Sequence, residues 1–196
     1  RLSRIEYAQE YLGEFVDEFH QFFPTNLIKK RMTFIRWTYK EHYNINLKYF
    51  LGVDIARYGQ DENAFVIAEM QKNKTLKIVS AETTENKNLV ETYNRIVATD
   101  EIYHFNMIFI DDAGIGAGVT DILIKKLGRK VMGLNNSTKT IDHEHVRKNK
   151  IFKEDMYSNA SVMLEKDGEL DIIDNLKLLK SLKSMTYEYT GDKNLK

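Results

Sequence analysis

The sequence predicts an α/β domain on a mixed sheet, three antiparallel strands followed by parallel ones, with helices flanking it. Three observations carry this expectation. Short apolar runs of strand length occur at residues 49–56, 64–68 and 75–79 with no helical segment between them. From residue 88 onward, helical spacing alternates with further short apolar runs, the order that calls for strands buried beneath crossover helices. The chain has 196 residues, 42% of them apolar, enough for one well-cored domain.

The first run is interrupted by one carboxylate, Asp54, and the next two are joined through Asn73 and Lys74, a polar pair suited to a hairpin turn. Leu89, Tyr93, Ile96 and Val97 recur at helical spacing, which predicts a helix over 88–104. Residues 107–112 form a fourth strand ending in Asp111 and Asp112. Gly114, Gly116 and Gly118 open a helix through Leu127, and residues 130–134 are a fifth strand. Residues 135–150 are polar, basic and free of glycine, and are expected to form a mobile flap. Phe152, Met156, Ala160, Met163 and Leu164 mark one face of a further helix; residues 174–184 read as helical and 185–189 as a strand. Residues 1–47 read as a lead-in arm, in which Asn26 caps a short helix and residues 32–39 are a short strand or irregular packing. The domain proper is then 48–196.

Composition narrows the chemistry. There is no cysteine, which excludes disulfides, thiolate metal sites and cysteine nucleophiles. No apolar run approaches the ~20 residues of a membrane helix. With 29 basic and 29 acidic residues, any hold on a polyanion must come from a local patch. Arg147, Lys148 and Lys150, with Lys139 and Lys153, are the candidate patch for a DNA backbone; a solvated face is the competing account. The five histidines are scattered apart from His143 and His145, which lack the spacing of a zinc helix. The glycines after Asp112 are not spaced as a phosphate-binding P-loop, and no Gly-Lys-Ser/Thr occurs.

Asp54, with one of Asp111 and Asp112, supplies the candidate catalytic and metal-binding carboxylates. A carboxylate within an apolar strand needs compensation, which a hydrogen-bonding turn or a cation supplies. Side chains alternate along a strand, so only one of Asp111 and Asp112 shares a face with Asp54. Two such acids at neighbouring strand ends repel unless a metal lies between them. All-oxygen donors favour Mg2+ or Mn2+, and a pair of such ions on carboxylates suits in-line phosphodiester hydrolysis.

Several segments together bear a family likeness. Gly52, Val53, Asp54, Ile55, Ala56 and Arg57, followed by Gly59 and Asp61, resemble the first acidic motif of viral (bacteriophage-type) terminase large-subunit nuclease domains. The stretch 109–121, from Phe109 through Asp111, Asp112 and Gly114 to Asp121, resembles the second, with the carboxylate three residues before the first glycine, at Asp111. Glu10 to Asp17, with Phe23, Pro24, Leu27 and Ile28, is similar to the family's junction between ATPase and nuclease domains; Asn149 to Tyr157 is similar to the helix after its variable loop. The resemblance implies a ribonuclease H-like fold and an endonuclease that cuts concatemeric viral DNA during packaging. It also implies double-stranded DNA, an N-terminal ATPase domain, a small terminase subunit and a portal as partners, and the cytoplasm of an infected host cell as location. The family's third acid is expected beyond Lys196, because Asp192 falls in a turn too early for it. Two other readings remain at this stage: an actin-like or sugar-kinase-like ATPase domain, whose glycine loops resemble 112–121, and a non-catalytic DNA-binding module of the same fold.

Overall fold

Tyr49, Leu51 and Val53 are buried and alternate with Phe50, Gly52 and Asp54, so strand β2 (Lys48–Asp54) has one dry face and one that differs along its length. It belongs to a computed structural model that describes residues 21–56, 62–85, 88–111, 116–135, 139–141 and 147–186; for 139–141 and 147–151 this extends to the backbone only. In chain order the elements are α1 (Thr25–Arg31), β1 (Met32–Phe34), α2 (Tyr39–His42), β2, β3 (Asn63–Met70), β4 (Leu76–Thr84), α3 (Leu89–Tyr103) and β5 (Met107–Asp111). There follow α4 (Gly116–Leu127), a short 3-10 turn, β6 (Val131–Leu134), β7 (Lys139–Ile141), β8 (Arg147–Ile151), α5 (Phe152–Glu165), β9 (Leu170–Ile173) and α6 (Leu176–Lys183).

Seven strands form one mixed sheet in the order β1-β9-β4-β3-β2-β5-β6. β2, β3 and β4 are the expected antiparallel meander, and β5 and β6 add in parallel beyond β2. β9 and β1 add in parallel beyond β4. β3 alone runs against the others, so the C-terminal ends of the remaining six strands share one edge of the sheet.

Each face carries its own core. On one, Leu51, Val53, Ile108 and Ile110 are buried with Ile96 of α3 and Val119 and Leu123 of α4. On the other, Leu170 and Ile172 are buried with Phe23, Ile28 of α1 and Leu164 of α5, and Leu178, Leu179 and Leu182 of α6 join them. α3 starts on a reciprocal cap: Asn88 accepts from the Glu91 amide and Glu91 accepts from the Asn88 amide. Its end is pinned by Asp100, which accepts from the Phe105 amide and pairs with Lys130 at 2.6 Å.

One expectation needs correction, and one strand was not expected. Asn26 does not cap α1; the helix starts at Thr25 behind Pro24, whose carbonyl takes the Leu27 and Ile28 amides, while Asn26 Oδ1 accepts from the next amide. Leu170–Ile173 is an interior strand, between β1 and β4, that the alternation test passes over, because a four-residue strand is too short to show a period. Within the expected flap, β7 and β8 pair antiparallel. The expected strand at 185–189 is described only to Thr186, which bridges Gln21. Residues 21–47 are part of the fold, supplying edge strand β1 and Trp37 and Tyr43 to the first core.

Candidate active site

The alternation that buries Val53 and Ile110 turns their successors, Asp54 and Asp111, to the opposite face. β2 and β5 pair in register from Phe50 with Met107 to Val53 with Ile110, so the two acids stand side by side where the ladder ends. Hydrogen-bonded strands lie ~4.8 Å apart, the separation of the two backbones here. The transverse row continues through Ala64 to Thr83 on one side and to Leu134 on the other. Ala64, beside Asp54 in this row, contributes only a methyl group. Solvent reaches Asp54, yet the protein around its carboxyl and the neighbouring charge of Asp111, in that order, raise its pKa above the ordinary carboxylate value.

Two devices fix these strand ends. Asn63, itself buried, accepts from the Ala56 amide at 2.9 Å, two residues beyond Asp54, and donates to Thr92 Oγ1 at 3.2 Å. Thr92 donates its own hydroxyl to the Asn88 carbonyl at 3.1 Å, so β2's exit is tied to the first turn of α3. Gly116 is the second device. A Cβ there would overlap the Asp111 carbonyl oxygen, so α4 starts against the strand end only because residue 116 has no side chain. Gly118, two residues on, would place its Cβ in open space.

α5 brings Tyr157 to the same region. Its ring packs edge-on against Phe22 and Phe23, with centroids 5.6 and 6.0 Å away, and the Lys153 ammonium lies 5.5 Å from the ring centre. Burial, then the charges of Asp111 and Asp54, raise its pKa, so the phenol stays protonated and can only donate or accept as a neutral group.

The sequence-predicted residues divide accordingly. Asp54 and Asp111 meet. Arg147, Lys148 and Lys150 fall on β8, whose backbone alone is described, and Asp61, Asp112, Gly114, His143, His145 and Asp192 lie outside the described residues. Among the described residues no cluster of three or more His, Cys, Asp or Glu suited to a metal occurs. Two adjacent carboxylates, all oxygen and mutually repelling, fit a hard divalent cation. Asn63 and Tyr157 were missed: an asparagine before a strand reads as a turn residue, and a tyrosine at helical spacing reads as core.

No protein-family model and no curated protein sequence matches the chain. Solved structures do. The nuclease domain of the large terminase subunit gp2 of bacterial virus Sf6 superposes with a TM-score of 0.68 at 10% identity, over 90% of this chain and 86% of that one. A manganese- and beta-thujaplicinol-bound variant of the Sf6 domain gives 0.67 at 11%, over 90% and 86%. The large terminase nuclease of thermophilic phage G20c with bound magnesium gives 0.66 at 18% identity, again over 90% and 86%. The chain thus has the ribonuclease H-like fold of those domains, a mixed seven-stranded sheet flanked by helices.

Proposed function

We propose that this chain is the nuclease domain of a large terminase, a metal-dependent endonuclease that hydrolyses phosphodiesters of double-stranded DNA and cuts concatemeric viral DNA during packaging. The observation that carries the reading is the placement of Asp54 and Asp111 in one row, on one face, where two parallel strands end. Asp54 and Asp111 hold Mg2+ or Mn2+ in this reading. Such ions, as a pair, would supply charge neutralisation at the phosphate and would lower the pKa of the attacking water. Water adds to phosphorus, one ester P–O bond breaks, and a phosphomonoester and an alcohol leave. The chain's own residues keep the two carboxylates in place through Asn63 and Gly116, and Tyr157 adds a neutral hydroxyl beside them. The fold likeness to terminase nucleases, some with magnesium or manganese bound, supports the assignment.

The same reading makes residues 1–47 the junction with a preceding ATPase domain. It makes small terminase subunit and portal the further partners, in the cytoplasm of the infected host. Among the described residues no helix is long and apolar enough to cross a membrane.

Cleavage of supercoiled plasmid in Mn2+ or Mg2+ tests the proposal. Cutting is expected to vanish in chelator and in Asp54→Asn and Asp111→Asn, since Asn keeps the shape of Asp but not the charge that holds the ion. Undiminished cutting by either variant would show the site to be misplaced.

A further inference from the structure

α6 has no acidic residue from Asn175 to Thr186 and carries Lys177, Lys180 and Lys183. Its other side is committed: Leu178, Leu179 and Leu182 join the second core, so the helix cannot roll. The three lysines are therefore held on its exposed side, one turn apart, as is Ser184 just beyond the last turn.

Both ends of this helix are fastened beside the acids. At its start, Asn175 caps the Leu178 amide and donates to the Ala81 carbonyl. Lys177 then donates to Thr83 Oγ1 at 2.9 Å and to Glu62 at 3.0 Å. Thr83, Ala64 and Asp54 are one transverse row, which places the Lys177 ammonium about two strand spacings, ~10 Å, along the row from Asp54. Just past its end, Met185 accepts from the Phe22 amide at 2.7 Å, and Phe22 packs on Tyr157, the ring that feels both acids. α6 thus lies alongside the acid pair and on the same face of the sheet.

We propose that the outer face of α6, through Lys180 and Lys183 with Lys177 as the inner anchor, is a contact surface for the sugar–phosphate backbone of duplex DNA flanking the point of cutting. The inference rests on the nuclease reading and adds a location for the substrate. Lys177 and Lys183 are ~9 Å apart along the helix axis, a length over which duplex DNA presents about five phosphate charges. A chain with no net charge needs such a concentration of one sign to hold a polyanion. The surface reads no bases, because ammonium groups on a helix lying against phosphates give register and not sequence.

The test is the salt dependence of binding to a 30-base-pair duplex, in chelator so that nothing is cut. A Lys180→Gln/Lys183→Gln protein is compared with a Lys125→Gln/Lys126→Gln protein. The second pair removes equal charge from exposed residues in the last turn of α4, on the other face and at the far end of the sheet. Each lost phosphate contact flattens the slope of log affinity against log salt by about 0.9. The α6 pair is expected to flatten it by about 1.8 and the α4 pair to leave it unchanged. Equal slopes in the two variants overturn the inference while plasmid cleavage by the parent protein leaves the nuclease reading standing. A parent protein that neither binds duplex nor cuts plasmid overturns both.

Discussion

The two ends of the central strands treat carboxylates in opposite ways. At the end where β2 begins, Glu69 is almost fully buried, and its two oxygens accept from Tyr49 Oη at 3.0 Å and from Gln71 Nε2. Around that pair lies a stack of rings: Trp37, Tyr43, Tyr49 and Tyr103 lie with centroids between 5.0 and 6.5 Å apart. Burial pushes the Tyr49 phenol well up, so it is a donor at every working pH. At the opposite end, Asp54 and Asp111 are set side by side. At one end neighbouring side chains satisfy the carboxylate oxygens; at the other, burial and then the charge of Asp111 raise the Asp54 pKa, and a cation between the two acids would relieve their repulsion. The difference separates an acid whose oxygens are hydrogen-bonded inside the fold from one, Asp54, whose ionisation the fold opposes.

The largest expected effect distinguishes two glycines. Gly116→Ala forces the start of α4 away from Asp111, and should cost at least 1–3 kcal/mol, the usual range for overpacking, and most of the cleavage. Gly118→Ala, with open space around it, should cut normally and gain about 0.5–1 kcal/mol of helix stability. Denaturant melts and plasmid assays on both proteins decide it, and equal behaviour would remove the close approach as a cause. Next, Tyr49→Phe leaves a buried Glu69 oxygen short of a donor. It should cost about 1–3 kcal/mol in urea unfolding, with cleavage per folded molecule unchanged. A cleavage defect there would blur the division between the two ends.

Asn63 stands between the two cases, because it is buried like Glu69 but serves the acid end. Thr92→Val removes the hydroxyl that receives its amide proton, and Thr92→Ser keeps it. The valine protein should need more Mn2+ for half-maximal cleavage, and the serine protein should need the parent amount. A lower melting temperature with an unchanged Mn2+ requirement would mean that the network only stabilises.

The smallest effect concerns pH. The folded-state pKa of Asp54 is raised, so in the absence of metal its charge opposes folding. That contribution worsens as pH rises from the ordinary carboxylate value through the raised folded value. Metal-free Asp54→Asn should therefore melt higher than the parent above this window, and the advantage should shrink as pH falls below it. Thermal melts across the acid range read both, and a variant that melts lower throughout would contradict the repulsion.

The acid row was legible because alternation is a strict rule: once Val53 and Ile110 are buried, Asp54 and Asp111 have no choice of face. The antiparallel meander followed from the same rule. β9 was not legible, since Asp171 sits inside a strand only four residues long and pairing with β4 and β1 supplies what its pattern lacks. Asn63 and Gly116 escaped for a related reason. Their importance lies in contacts with Ala56, Thr92 and Asp111, which no local pattern encodes. The lysines of α6 were in plain view, but only the folded chain brings their helix beside the acids.

The hold of the leading segment on α5 has a mechanical consequence. Phe22 and Phe23 grip the helix at Tyr157, while Arg31, buried, donates to the Leu164 and Glu165 carbonyls and pairs with Asp167 at 2.7 Å. These two grips are seven residues apart on α5, ~10 Å, and together they make the segment and the helix a single stiff strut. Residues 22–31 are thereby held against α5 at two points, one of them Tyr157, whose phenol pKa burial and then the charges of Asp111 and Asp54 raise, so the leading segment helps to fix the helix that reaches the acid edge.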